Sequence, residues 1–84
     1  MKSVRRKVQK IIDGDTFKVR KGVNGSQYIR VSGIDAPEKR QLGYMKAKKK
    51  LGKIRGETVT IRPKGKSYGR TVGDVIFKRK KIRG

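Results

Sequence analysis

The chain has 84 residues, of which 26 are lysine or arginine and 6 are aspartate or glutamate, giving a formal charge of +20 with no histidine and no cysteine. A chain of that length is one domain with a modest core, and it can form neither a disulfide nor a thiolate or imidazole metal site. What remains open is a hard, oxygen-liganded ion such as Ca²⁺ or Mg²⁺, and acid–base chemistry by carboxylate, lysine, tyrosine or water. The cation surplus points to a polyanionic partner, nucleic acid first, because lysine and arginine gain affinity by releasing counterions from phosphates. A merely lysine-rich soluble surface is the plainer alternative.

In chain order, Val4, Val8 and Ile12 share one face of an extended segment and predict a first strand. Asp13-Gly14-Asp15 predicts a turn. Thr16–Arg20 alternates as a second strand, and Asn24-Gly25 marks a hairpin. Tyr28–Ile34 predicts a third strand, with Ile29 and Val31 on one face and Tyr28, Arg30 and Ser32 on the other. Pro37 is expected to end it. From Gln41 to Arg55 the period changes. Tyr44, Ala47, Leu51 and Ile54 form a helical stripe, with Gly56 as the stop. Glu57–Arg62 predicts a fourth strand, Pro63–Ser67 a polar loop, Thr71–Phe77 a fifth strand, and Lys78–Gly84 a frayed basic tail. No apolar run reaches membrane-spanning length. The basic segment Met1–Lys10 lacks a following apolar stretch, so the chain reads as mature and cytoplasmic, with no membrane contact.

Three strands, a helix and two strands is the element order of an OB-fold, a mainly β, five-stranded Greek-key barrel with its helix between strands three and four. An SH3-like barrel with a helical insertion is the second reading. Four of the six acids fall in two short stretches, Asp13-Gly14-Asp15 and Asp35-Ala36-Pro37-Glu38. Read alone, the first is turn chemistry and the second a pair of acids at a helix start. Read together, Asp15 and Asp35 make a credible Ca²⁺ or Mg²⁺ site with a backbone carbonyl and waters, and Glu38 could deprotonate or orient a water. The fork geometry of Arg30 and Arg70 suits a phosphodiester and the extra charge of its transition state.

The pattern Ile12-Asp13-Gly14-Asp15-Thr16, Arg30-Val31-Ser32-Gly33-Ile34-Asp35-Ala36-Pro37-Glu38 and Tyr68-Gly69-Arg70, in this order, resembles the staphylococcal nuclease (thermonuclease-like) family over about residues 8 to 77. The resemblance implies a Ca²⁺-dependent endonuclease acting on DNA or RNA, with Mg²⁺ or Mn²⁺ as alternative ions. It implies metal binding by Asp15, Asp35 and the Ala36 carbonyl. It gives Glu38 the attacking water, Arg30 and Arg70 the scissile phosphate, and Tyr68 a place beside phosphate or base. Asp13 matches a structural position. Lys48, Lys49 and Lys66 are expected to add nucleic-acid contacts. Family members continue past the fifth strand, so this minimal version is expected to be marginally stable alone and to cover its open side in a homodimer or with a partner. The alternatives are a non-catalytic nucleic-acid-binding barrel and a basic structural protein.

Overall fold

The computed structural model describes residues 3–34 and 41–82. Its elements are β1 (Val4–Ile11), β2 (Thr16–Val23), β3 (Ser26–Val31), α1 (Tyr44–Leu51), a 3-10 turn (Gly52–Ile54), β4 (Thr58–Ser67), β5 (Arg70–Phe77) and β6 (Lys80–Lys81). The strands hydrogen-bond in the order β3-β2-β1-β4-β5-β6, and an additional pairing of β3 with β5 closes the first five into a barrel. All the neighbours are antiparallel except β3 and β5, which run parallel. The fold is mainly β with one helix, and the barrel is OB-fold-like.

Period-two alternation builds the core. Phe17 and Val19 of β2, Ile29 and Val31 of β3, Val59 and Ile61 of β4, and Val75 of β5 point inward and are fully buried. Each such side chain contributes about 1.5–3 kcal/mol of transfer free energy. Leu51 and Ile54 join this core from the helical segment.

Five expectations need correction. The inward set of β1 is Val8 and Ile11, with Ile12 only half buried. Val8 faces Val19 but Lys10 faces Lys18, so a bulge inserts one residue and shifts the alternation by one. The helix is shorter than 41–55. Gly43 at φ 86 precedes it, and at Gly52 it tightens into the 3-10 turn. The predicted loop Pro63–Ser67 belongs to β4, which runs in register to Ser67↔Arg70. A register shift between Pro63 and Gly65 admits the proline, and opposite it Gly73 lets the strands close, because a Cβ there would lie 2.6 Å from the Arg62 carbonyl oxygen. The tail is not frayed as far as Ile82. Lys80 and Lys81 form β6 against Phe77 and Ile76, and Ile82 is buried. The third strand stops at Val31, before Gly33 at φ 84; Pro37, expected to end it, lies outside the described residues.

A carboxylate holds the last strand. Asp74 of β5 sits 3.3 Å from Lys64 Nζ of β4 and 3.2 Å from Lys81 Nζ of β6. Burial pushes its carboxyl pKa up, but the two ammonium groups outweigh burial and hold it below its ordinary value.

At one end of the barrel the hairpin tips are tied together. Asn24 at φ 50 and Gly25 at φ 86 turn β2 into β3, and Tyr68 at φ 50 and Gly69 at φ 77 turn β4 into β5, both with the left-handed pair that a tight hairpin needs. Ser26 Oγ donates to the Gly69 carbonyl at 2.7 Å and Thr71 Oγ1 donates to the Val23 carbonyl at 2.7 Å.

Candidate functional site

The β1–β2 connection is closed by its own backbone. The amides of Ile12 and Asp13 both donate to the Thr16 carbonyl, at 2.9 and 3.0 Å. Its two acids have separate surroundings. Asp13 Oδ1 accepts a hydrogen bond from the Tyr44 hydroxyl at 3.0 Å, anchoring the first turn of α1. This agrees with a structural Asp13. The bond raises the Tyr44 pKa above its ordinary value, and burial and the aspartate charge add to the shift.

Asp15 faces the arginines. Its Oδ1 accepts from Thr16 Oγ1 at 2.8 Å, and Oδ2 lies 3.5 Å from Arg30 Nε. Thr16 Oγ1 in turn accepts from Arg70 Nη1 at 3.1 Å, while Arg70 Nε donates to the Ser67 carbonyl at 3.4 Å. Strand pairing makes this convergence. Thr16 opposes Arg30 across β2 and β3, the Val31 amide donates to the Asp15 carbonyl at 2.7 Å, and Arg30 opposes Val72 of β5, two residues past Arg70. The four side chains therefore meet at one barrel corner held by three strands, with Thr16 buried there.

Among the described residues the local balance is two guanidiniums against one carboxylate. Arg30 keeps 29% of its side-chain surface exposed and Asp15 keeps 15%. Each guanidinium carries five N–H donors in a planar fork. Two N–H groups of Arg70 are engaged by the bonds above, so the corner still presents charged donors to a tetrahedral anion. Thr16 was not among the residues expected at the site. Its signal in the sequence is its outward place in the β2 alternation, directly after Asp15.

The other expected residues are distributed differently. Tyr68 lies in the β4–β5 turn and is 96% exposed. Lys66 of β4 is exposed, and its Nζ stands over Gly25 of the neighbouring turn, 3.3 Å from where a Cβ would be. Lys48 and Lys49 line a groove between α1 and the end of β1, with Lys10, Lys46, Met45 and Arg55. Asp35, Ala36 and Glu38 lie outside the described residues. The structure thus brings together Asp15, Arg30 and Arg70, and does not place Tyr68, Lys66, Lys48 or Lys49 in hydrogen-bond contact with them.

Of the expected metal ligands, Asp15 is the one described. Among the described residues no group of three or more carboxylates is gathered that could hold an ion by itself. The donor chemistry of Asp15 fits a hard cation. Among the described residues each of its oxygens makes one polar contact, and a carboxylate oxygen has a second lone pair.

No protein-family model matches the chain. The chain is 38% identical over 78 residues to a Haemophilus influenzae protein named "Uncharacterized endonuclease", an alignment covering 90% of this chain and 44% of that relative. The chain therefore spans less than half the length of the relative it matches.

Proposed function

We propose that this chain is a metal-dependent nuclease of the thermonuclease-like class that hydrolyses phosphodiester bonds in DNA or RNA. The observation that carries the reading is the convergence of Arg30 and Arg70 on the Asp15–Thr16 corner. The similarity to a relative named as an endonuclease supports it from the side of sequence.

In this reading Arg30 and Arg70 grip the scissile phosphate through N–H groups left free by Asp15, Thr16 and Ser67. Their fixed charge stabilises the extra negative charge of the pentacovalent transition state, an effect worth about 2.7–4 kcal/mol per donor in other hydrolases. Thr16 holds Arg70 in line with the Asp15 carboxylate. Asp15, Asp35 and the Ala36 carbonyl would hold Ca²⁺, with Mg²⁺ or Mn²⁺ as substitutes, and the ion would neutralise the phosphate and lower the pKa of water. Glu38 takes a proton from the attacking water or orients it.

The test is incubation with single-stranded DNA and with RNA in Ca²⁺, Mg²⁺ or Mn²⁺, with and without EDTA. Cleavage that EDTA abolishes is expected. Salt-sensitive binding without cleavage in any of the three ions would make the chain a non-catalytic nucleic-acid binder instead.

A further inference from the structure

On the outer face of the barrel the strand register sets one residue from each of four strands side by side. Lys10 of β1 opposes Lys18 of β2, and Lys18 opposes Tyr28 of β3. The parallel pair Ile29↔Thr71 sets Arg70 of β5 level with Tyr28. The line therefore reads Lys10, Lys18, Tyr28, Arg70, and crosses three inter-strand gaps, about 14 Å at the usual strand spacing. It lies one step along the strands from Thr16 and Arg30, on the same face.

The β1 bulge creates this line. Without the extra residue, the alternation that buries Val8 would bury Lys10 as well; with it, Ile11 turns inward and Lys10 outward beside Lys18. Tyr28 is 41% exposed, although most large apolar side chains of the barrel are buried. The Lys18 ammonium lies 5.8 Å from the centre of the Tyr28 ring, so the aromatic plane and a cation occupy one spot. Of the four acids among the described residues, Asp13 is bonded to Tyr44, Asp74 is paired with Lys64 and Lys81, Asp15 is held at the corner by Arg30 and Thr16, and Glu57 precedes β4; none is a member of the line.

We infer that this line is a track for single-stranded nucleic acid running away from the Arg30–Arg70 corner. Tyr28 stacks the base next to the phosphate held by Arg70, and Lys18 and Lys10 meet the phosphates that follow. Stacking on a tyrosine is indifferent to base identity, and lysines meet phosphates as point charges. The track therefore binds strands without reading their sequence. It requires unpaired bases, because a duplex offers no free base face to Tyr28. The inference rests on the nuclease reading only for which phosphate sits at Arg70.

Fluorescence anisotropy with labelled oligo-dT and oligo-rU of increasing length, in EDTA, tests it. Tyr28→Ala is expected to weaken binding by about tenfold or more, and Tyr28→Phe to restore it to within about twofold. The double variant Lys10→Ala/Lys18→Ala is expected to reduce the slope of log affinity against log salt by about 1.4, two single-strand phosphate contacts. A charge-matched Lys53→Ala/Lys78→Ala control should reduce it less. The track is overturned if Tyr28→Ala binds as wild type does, if the control pair matches the Lys10/Lys18 pair, or if wild type binds neither probe. Because binding is read in EDTA, a failure of metal-dependent cleavage removes the nuclease reading and leaves the track standing. Intact cleavage with Tyr28-independent binding removes the track alone.

Discussion

Two aspartates on the barrel surface are each held by basic residues, and they are held differently. Asp74 lies between two lysine ammonium groups, at 3.2 and 3.3 Å, and joins three consecutive strands of the sheet. Asp15 has one guanidinium at 3.5 Å, and the second arginine reaches only the threonine hydroxyl beside it. The first arrangement neutralises its charge within the fold and fastens a strand. The second leaves two planar cations at the same corner, neither fully engaged among the described residues. A count of charges does not separate them, because each has one acid and two bases. What separates them is the donor left over.

The largest effect that would test this contrast is at Arg70. Arg70→Ala should lower single-turnover cleavage by about 10²–10³-fold, with a melting temperature close to wild type. A variant that cleaves normally would show that the corner is not where the phosphate is held. Asp74→Ala should do the reverse. It removes the partner of Lys64 and Lys81, leaves two ammonium groups facing each other, and should cost about 1 kcal/mol of stability in urea unfolding, with cleavage unchanged. The same residue sets an acid limb. Its carboxyl pKa is lowered on folding, so its contribution is complete above the unfolded value of 3.8 and is lost as pH falls through the lower folded value. Stability of Asp74→Ala should therefore fall less steeply than that of wild type in that range. An unchanged acid limb would mean that the two ion pairs contribute nothing measurable.

The smallest effect lies at Tyr44. Its pKa is raised on folding, first by the hydrogen bond to Asp13, so the contribution is complete below the unfolded value of 10.0 and is lost as pH rises through the higher folded value. In an ultraviolet phenolate titration Tyr44 should ionise at higher pH in the wild type than in the Asp13→Asn variant. If the Asp13→Asn titration overlays that of the wild type, the hydrogen bond does not hold in solution.

Much of this was legible in the sequence. The alternation of Thr16–Arg20 and Thr58–Arg62, the Asn24-Gly25 turn and the Tyr44–Leu51–Ile54 stripe are local signals, and the barrel keeps them. Asp15, Arg30 and Arg70 were legible as types that suit a phosphate. What was hidden depends on pairing between distant segments. A bulge leaves no mark in β1 itself, so Ile11 rather than Ile12 turns inward only once Val8 meets Val19. Pro63 argues against a strand until Gly73 is set opposite it. Ile82 reads as part of a basic tail because the strand that buries it is two residues long and composed of lysines. Thr16 and Tyr28 looked like ordinary strand residues, since only the cross-strand register puts them beside the arginines.

The knot between the hairpin tips also has a kinetic consequence. Ser26 meets Gly69 across 43 positions, and Thr71 meets Val23 across 48. Contacts of such separation reward the chain only after the loop-closure entropy has been overcome, so they form late and slowly. The β3–β5 pairing that sets Arg30 level with Val72 belongs to the same closing step. A growing or partly folded chain can hold Asp15, Thr16 and Arg30 on the β2–β3 hairpin without Arg70 beside them. The complete corner exists only in the finished barrel, and its appearance after dilution from denaturant is a clock for the last event of folding.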